Sequence, residues 1–240
     1  MAQTLNIRLK FNHILFNGLL KQRCLLCSAQ DGGEHGLCNE CLNDLPWHAA
    51  PQCPQCGLHS NSLVCGSCLN NPPHFNATHS LFTYDFPVDA MMQHYKYGSM
   101  LNISHIFGQL LGKKINLETV DLVIPMPMHR TRLKERGFNQ ALEIAKILAE
   151  NNAEKLDYKS AQRQKLTPPQ ASLALKERVK NIKGAFKISA DLTNHLAGKR
   201  IAIVDDVMTT GASLNELAKI LKQAGATHVE CWVVARTLPK

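Results

Sequence analysis

Downstream of residue 80 the apolar positions switch between two periods. Leu81–Tyr84 reads as a short strand, and residues 88–113 as mostly helix. Asp121–Pro125 (Asp-Leu-Val-Ile-Pro) predicts a buried strand that ends at its proline. Phe138, Ala141, Leu142, Ala145, Leu148 and Ala149 then recur at i, i+3, i+4, i+7, i+10 and i+11, the spacing of an amphipathic helix. Arg200–Val204 predicts a second buried strand. Leu214, Leu217, Ala218 and Leu221 form another helical stripe, ended by Gly225, and Val229–Ala235 predicts a third buried strand. Buried strands alternating with helices imply right-handed crossovers and a parallel sheet covered on both faces, an α/β fold. Residues 151–185 are polar and basic, contain Pro168-Pro169, and read as a long, partly mobile connection.

The upstream pattern is different. Residues 5–21 look helical with a mixed apolar face. Residues 24–68 are rich in Gly, Asn, Pro and His and have no long apolar run, so they cannot bury enough surface to fold unaided. Asn70-Asn71-Pro72-Pro73 breaks the chain and predicts two domains, 1–71 and 72–240.

Cysteine spacing supplies what the upstream segment lacks. Eight of the nine cysteines form four Cys-x-x-Cys pairs: Cys24/Cys27, Cys38/Cys41, Cys53/Cys56 and Cys65/Cys68. One pair presents two thiolates, and two pairs complete a tetrahedral site, so four pairs predict two structural Zn²⁺. Sequential pairing closes loops of 10 and 8 intervening residues, and crossed or nested pairing stays open. Metal removal is expected to unfold residues 24–68 and leave the domain beyond Pro73 largely intact. Cys231, in the last buried strand, reads as a small core residue, and Trp47 and Trp232 as packing residues.

Composition narrows the class. A hydrophobic content of 45% supports a packed core and excludes a mainly disordered chain. No stretch approaches the ~18 apolar residues of a membrane span. Arg8, Lys10, Asn12 and His13 interrupt the apolar residues of any signal peptide, and Lys21, Gln22 and Arg23 are not the small residues of a lipid-attachment site. The expected location is the cytoplasm, with no membrane insertion. The formal charge of +8 is concentrated: residues 129–200 hold 16 Lys+Arg against 7 acids, whereas residues 1–128 hold 7 against 8. A local surplus points to a polyanionic partner.

The chemistry sits in Ile201-Ala-Ile-Val-Asp205-Asp206-Val-Met-Thr209-Thr210-Gly211-Ala212-Ser213. An apolar strand runs into two carboxylates and then a small-residue loop that opens a helix. Thr209, Thr210 and Ser213 offer hydroxyls, Gly211 lets the backbone approach closely, and the helix adds N–H groups and its dipole, so that the loop through Ala212 suits a phosphate. Asp205 and Asp206 would repel a bare phosphate, but can accept hydrogen bonds from a ribose diol one ring away. The ligand inferred is a ribose 5-phosphate moiety. This stretch resembles the 13-residue binding motif of the type I phosphoribosyltransferases. A second cluster, Pro125-Met126-Pro127-Met128-His129-Arg130, continues into Arg132, Lys134 and Arg136, a tight turn ringed with guanidinium groups suited to pyrophosphate. Lys96 is a further candidate for reaching the ligand.

Beyond about Arg23 the chain resembles the ComF family of competence and DNA-utilisation proteins, also called GntX in enterobacteria. The resemblance rests on the double zinc ribbon, Pro125-x-Pro127-x-His129-Arg130-x-Arg132, Arg136-Gly137-Phe138-Asn139-Gln140, Arg163-x₃-Thr167-x₂-Gln170-x₂-Leu173, Arg178-x₂-Asn181-x₂-Gly184-Ala185-Phe186 and the ribose-phosphate motif. Met126 and Met208 stand where β-branched residues are expected. The resemblance implies a type I phosphoribosyltransferase domain behind a zinc module, and phosphoribosyl pyrophosphate as ligand with Mg²⁺ on its pyrophosphate. It also implies a role in DNA uptake or use, alongside other competence proteins. Two readings follow. In one, the protein is a phosphoribosyltransferase of unstated acceptor, with Asp205 and Asp206 catalytic. In the other, it is a non-catalytic zinc-ribbon protein that binds nucleic acid and uses the ligand site as a sensor. Aromatics are 6% of the chain and Tyr158 is the only one in residues 139–185, so single-stranded DNA would be held through backbone charge.

Overall fold

The computed structural model describes residues 22–49, 51–98, 100–166 and 181–239. The predicted helix at residues 5–21, and Thr167, Pro168, Pro169, Gln170, Leu173 and Arg178, lie outside these. The apolar runs become strands Ala77–Thr83 (β1), Leu122–Pro125 (β2), Arg200–Met208 (β5) and His228–Arg236 (β6). They form one sheet in the order β1-β6-β5-β2, with every pairing parallel. A separate antiparallel pair joins Ala161–Arg163 (β3) to Phe186–Ile188 (β4). The helices among the described residues are Asn39–Asn43 (α1), Gly66–Asn70 (α2), Val88–Tyr97 (α3), Asn102–Lys114 (α4), Arg130–Arg136 (α5), Gln140–Leu148 (α6), Thr193–Leu196 (α7) and Ala212–Gln223 (α8). None is long and apolar enough to cross a membrane.

By internal contacts the chain divides into Met1–Leu45 and Pro46–Lys240. The sequence breaker lies later, at Asn70–Pro73. Within Pro46–Lys240 the sheet is covered on both faces, as the alternation of strand side chains requires. Ile201, Ile203, Val229, Cys231 and Val233 point to the side filled by Leu214, Leu217, Ala218 and Leu221 of α8 and by Phe186 of β4. On the other side α6 packs on β2 and β5, and α4 on α6, β1 and β6.

Both edges of the sheet are occupied. Beside β1, His48 N donates to Leu81 O (3.0 Å), Thr83 N to Pro46 O (2.8 Å) and Thr78 N to Pro54 O (2.9 Å). Beside β2, Leu156 bridges Val123 and Asp157 N donates to Val123 O (2.9 Å). The stretch read as a connection is therefore partly sheet-associated: it also holds β3, with Ser160 and Ala161 buried.

Two further expectations change. β5 does not stop at Val204 but continues to Met208, because β6 is long enough to pair Asp205 with Val233, Val207 with Ala235 and Met208 with Arg236. The arginine-ringed turn is instead the helix α5. His129 Nδ1 caps it by accepting from Thr131 N (3.2 Å), and Gly137 ends it in the left-handed region at φ 85°.

Candidate functional site

β2 ends at Pro125, level with Val204 of β5, whereas β5 runs four residues further. The chain leaves β2 toward the α6 face and leaves β5 toward the α8 face. Adjacent parallel strands that diverge in this way open a crevice beyond their carboxyl ends. A cavity of about 300 Å³ occupies it, lined by Asp205, Asp206, Thr209 and Ser213 from the β5 side and by Pro127, His129, Arg132 and Arg136 from the β2 side.

The carboxylates ride on the end of the strand itself. Asp206 Oδ1 accepts from Val207 N (2.6 Å), and its Oδ2 pairs with Lys96 Nζ at 2.8 Å, the two side chains 14% and 21% exposed. Burial opposes the Lys96 charge, but Asp206, Asp205 and Tyr84 outweigh it and hold the ammonium above its ordinary pKa. Asp205 Oδ1 accepts from Asp206 N (2.9 Å). Burial first, and the Asp206 charge second, push the Asp205 carboxyl up to about 7, against the pull of the Asp206 N–H, Lys96 and Arg163.

The loop after β5 is shaped by Gly211, at φ 78° and directly before α8. The positive φ disfavours any side chain at Gly211, and a Cβ there would lie 2.7 Å from Met208 Cε, which would have to shift. Thr210 Oγ1 accepts from Ala212 N (3.3 Å), and Gly211 brings no side chain to cap the helix. Thr209 and Ser213 face the carboxylate cavity; Thr210, Gly211 and Ala212 line a separate one behind the loop.

The β2 side is sorted by helical geometry. Arg132 and Arg136 are four residues apart and share the cavity face of α5. Arg130 lies off that face and, with Pro125, lines an adjoining cavity of about 500 Å³ that also touches Pro127 and His129. Arg136 is held by Gln140, whose Oε1 accepts from Nη1 at 2.8 Å, and lies over the Tyr97 ring at 5.4 Å. Asn139 Nδ2 donates to Met126 O (3.1 Å) while its Oδ1 caps α6, which fixes the β2 loop against that helix.

The cysteines form two clusters, Cys24/Cys27/Cys38/Cys41 and Cys53/Cys56/Cys65/Cys68, with all sulfurs of each within 4.8 Å of one another. Pairing is sequential, and no cysteine is in a disulfide. Cys27 and Cys38 Sγ lie 3.7 Å apart, as do Cys56 and Cys65 Sγ. A tetrahedron with ~2.3 Å metal–sulfur bonds has edges of ~3.8 Å, so both clusters fit structural Zn²⁺. Burial raises the Cys24 thiol, but the N–H groups of Cys27, Cys38 and Leu26 outweigh it and bring it down to about 6, toward the thiolate that a metal needs. Each first knuckle turns back through a left-handed residue, Ser28 (φ 62°) or Gly57 (φ 69°).

Residues 15–69 match the double zinc ribbon domain family, and residues 133–238 the phosphoribosyl transferase domain family. Competence protein F of Haemophilus influenzae is 29% identical over 228 residues, covering 89% of this chain and 96% of its own length. DNA utilization protein YhgH of Salmonella typhimurium is 30% identical over 225 residues, covering 90% and 97%. The chain belongs to the ComF family. Competence protein ComFC of Streptococcus pneumoniae is 25% identical over 202 residues, covering 83% of this chain and 87% of its own.

Three cations of this ComF chain stand out in space more than in sequence. Lys96 reaches the carboxylates from the last turn of α3. Arg163, on β3, lines both cavities, stacks its guanidinium 5.4 Å from the Phe186 ring centre, and acts on the charge of Asp205. Arg236 ends β6, is 3% exposed, and donates from Nη1 to Met208 O (3.0 Å) and Thr209 O, two residues before Gly211. Arg236 had one sequence signal: it closes a run of buried strand residues, where a cation needs built-in acceptors.

Proposed function

We propose that this ComF protein binds phosphoribosyl pyrophosphate, with Mg²⁺, beyond the carboxyl ends of β5 and β2, and acts as a phosphoribosyltransferase in DNA uptake or utilisation. The observation that carries the reading is one cavity shared by the Asp205–Asp206 pair, the loop hydroxyls Thr209 and Ser213, and the guanidinium groups of Arg132 and Arg136. Each group meets a different part of one ligand. The carboxylates accept from the 2′- and 3′-hydroxyls. The Thr209–Ser213 loop and the first turn of α8 hold the 5-phosphate. Arg132 and Arg136 face the pyrophosphate, and Arg130 its outer side. Pro125, Pro127 and His129 hold that loop in place.

The reaction breaks the bond from C1 to the pyrophosphate oxygen, which leaves with the electron pair, and the acceptor supplies the pair that forms the new bond. Positive charge develops on the ribose ring, next to the two carboxylates, while the arginines meet negative charge on the leaving group. Bound Mg²⁺ would neutralise part of the pyrophosphate charge. Lys96 pairs with Asp206 at 2.8 Å, and Lys96 and Arg163 both pull the Asp205 carboxyl down against burial.

Calorimetric titration of the zinc-loaded protein with phosphoribosyl pyrophosphate and Mg²⁺ tests the binding, with ribose 5-phosphate as competitor. A folded wild type that takes up neither compound overturns the reading. Pyrophosphate release with a panel of acceptors, DNA included, separates a transferase from a non-catalytic sensor. The sensor reading draws on the cations beside the site: Arg130 and Lys187 line the adjoining cavity and have no ion-pair partner among the described residues.

A further inference from the structure

The knuckle Cys53-Pro54-Gln55-Cys56 is gripped at three consecutive carbonyls. Thr78 N donates to Pro54 O (2.9 Å), Thr78 Oγ1 to Gln55 O, and Arg236 Nε to Cys56 O (2.8 Å). The same guanidinium donates from Nη1 to Met208 O, Thr209 O and Thr237 O. Arg236 is thus one rigid plane with the second cysteine cluster on one side and the start of the Thr209–Ser213 loop on the other. Among the described residues no carboxylate pairs with it. Loss of the metal would free the knuckle whose Cys56 carbonyl orients the guanidinium.

We infer that Arg236 is a positioning residue that couples Zn²⁺ at Cys53/Cys56/Cys65/Cys68, and not at the first cluster, to the order of the Thr209–Ser213 loop. The inference rests on the proposed ligand site only in using ribose 5-phosphate as one of its two probes. Coupling of this kind is reciprocal: whatever factor zinc adds to ligand affinity, ligand adds to zinc affinity.

Hydrogen exchange on the full zinc-loaded chain reads the loop without any ligand. Amides of Thr209–Ser213 should exchange faster in Cys65→Ser and in Arg236→Lys, and be unchanged in Cys27→Ser. Arg236→Lys keeps the positive charge but cannot span both sides, so it should retain two zinc ions and still lose the coupling. Zinc counting by native mass spectrometry during chelation reads the reverse direction. Saturating ribose 5-phosphate should slow the loss of one zinc by roughly tenfold, as expected for charge-assisted hydrogen bonds. That zinc should be the one kept by Cys27→Ser, and the protection should vanish in Arg236→Lys. Ligand that binds wild type without protecting either zinc, beside loop exchange indifferent to Cys65→Ser, overturns the coupling and leaves the ligand site standing. Loop exchange that follows zinc and Arg236 in a protein that ignores ribose 5-phosphate keeps the coupling and overturns the ligand.

Discussion

Asp205→Asn should make the protein more stable and less able to bind. The change keeps the shape of the side chain and removes its charge. Burial, then Asp206, hold the Asp205 carboxyl at about 7 in the fold against an ordinary 3.8. A raised carboxyl contributes fully to stability below its unfolded pKa and loses that contribution as pH rises through the folded one. At ~1.4 kcal/mol per tenfold change in proton affinity, ionising Asp205 in place costs the fold about 4 kcal/mol. Asparagine carries no such cost. Between about pH 5.5 and pH 8 the advantage of the variant should widen by about 2 kcal/mol. Urea unfolding followed through Trp232, 1% exposed in the core, measures that widening against wild type. The same samples, titrated with phosphoribosyl pyrophosphate and Mg²⁺, should bind at least ~tenfold more weakly, because a charge-assisted acceptor is gone. A gap that does not change with pH, or a variant less stable than wild type at pH 8, refutes the account of Asp205 as a carboxylate kept for its ligand at the expense of the fold.

Lys96→Met leaves Asp206 without its ion-pair partner and should lower stability by about 2–3 kcal/mol in the same unfolding assay. Gly211→Val combines a left-handed backbone with a clash on Met208, so ribose 5-phosphate should no longer compete in calorimetry even where circular dichroism shows a folded protein. Elemental analysis of protein purified under reducing conditions without chelator should find two Zn²⁺ per chain; one or none counts against the paired clusters. Single-stranded DNA, if held by the surplus on residues 129–200, should bind with log K falling by ~0.7 per neutralised phosphate against log salt, and Arg130→Gln should reduce that slope; affinity flat in salt removes the electrostatic argument.

The strands were legible because they are buried runs of branched apolar residues, and the cysteine clusters because metal-ligand spacing leaves few alternatives. Sequence could not choose the cysteine pairing; the sulfur positions did. α5 was illegible as a helix because Arg-Thr-Arg-Leu-Lys-Glu-Arg carries no apolar stripe. It is built from good helix formers between a histidine cap and a left-handed glycine, and its exposed faces need no stripe. The length of β5 was hidden because Asp205 and Asp206 look like the end of a strand, and only the matching length of β6 extends it. Lys96 is a candidate for the ligand from sequence, but its partner Asp206 was not legible there, and Arg163 lies far from the motif in sequence. What each reaches is set by where α3 and β3 end, which local pattern does not encode.

The pairing along β1 has a consequence for the cell's handling of the chain. An edge strand offers a row of unmet N–H and C=O groups to any other strand, and proteins avoid this by covering it. Here the cover comes from Pro46, His48 and Pro54, the last of them inside a metal-site knuckle rather than an apolar core. Newly made chains that find no zinc for Cys53, Cys56, Cys65 and Cys68 would expose β1, a strand with Leu81 and Phe82 in it, as a template for a second copy. Zinc shortage would then deplete the protein through self-association and clearance, not merely through lost activity.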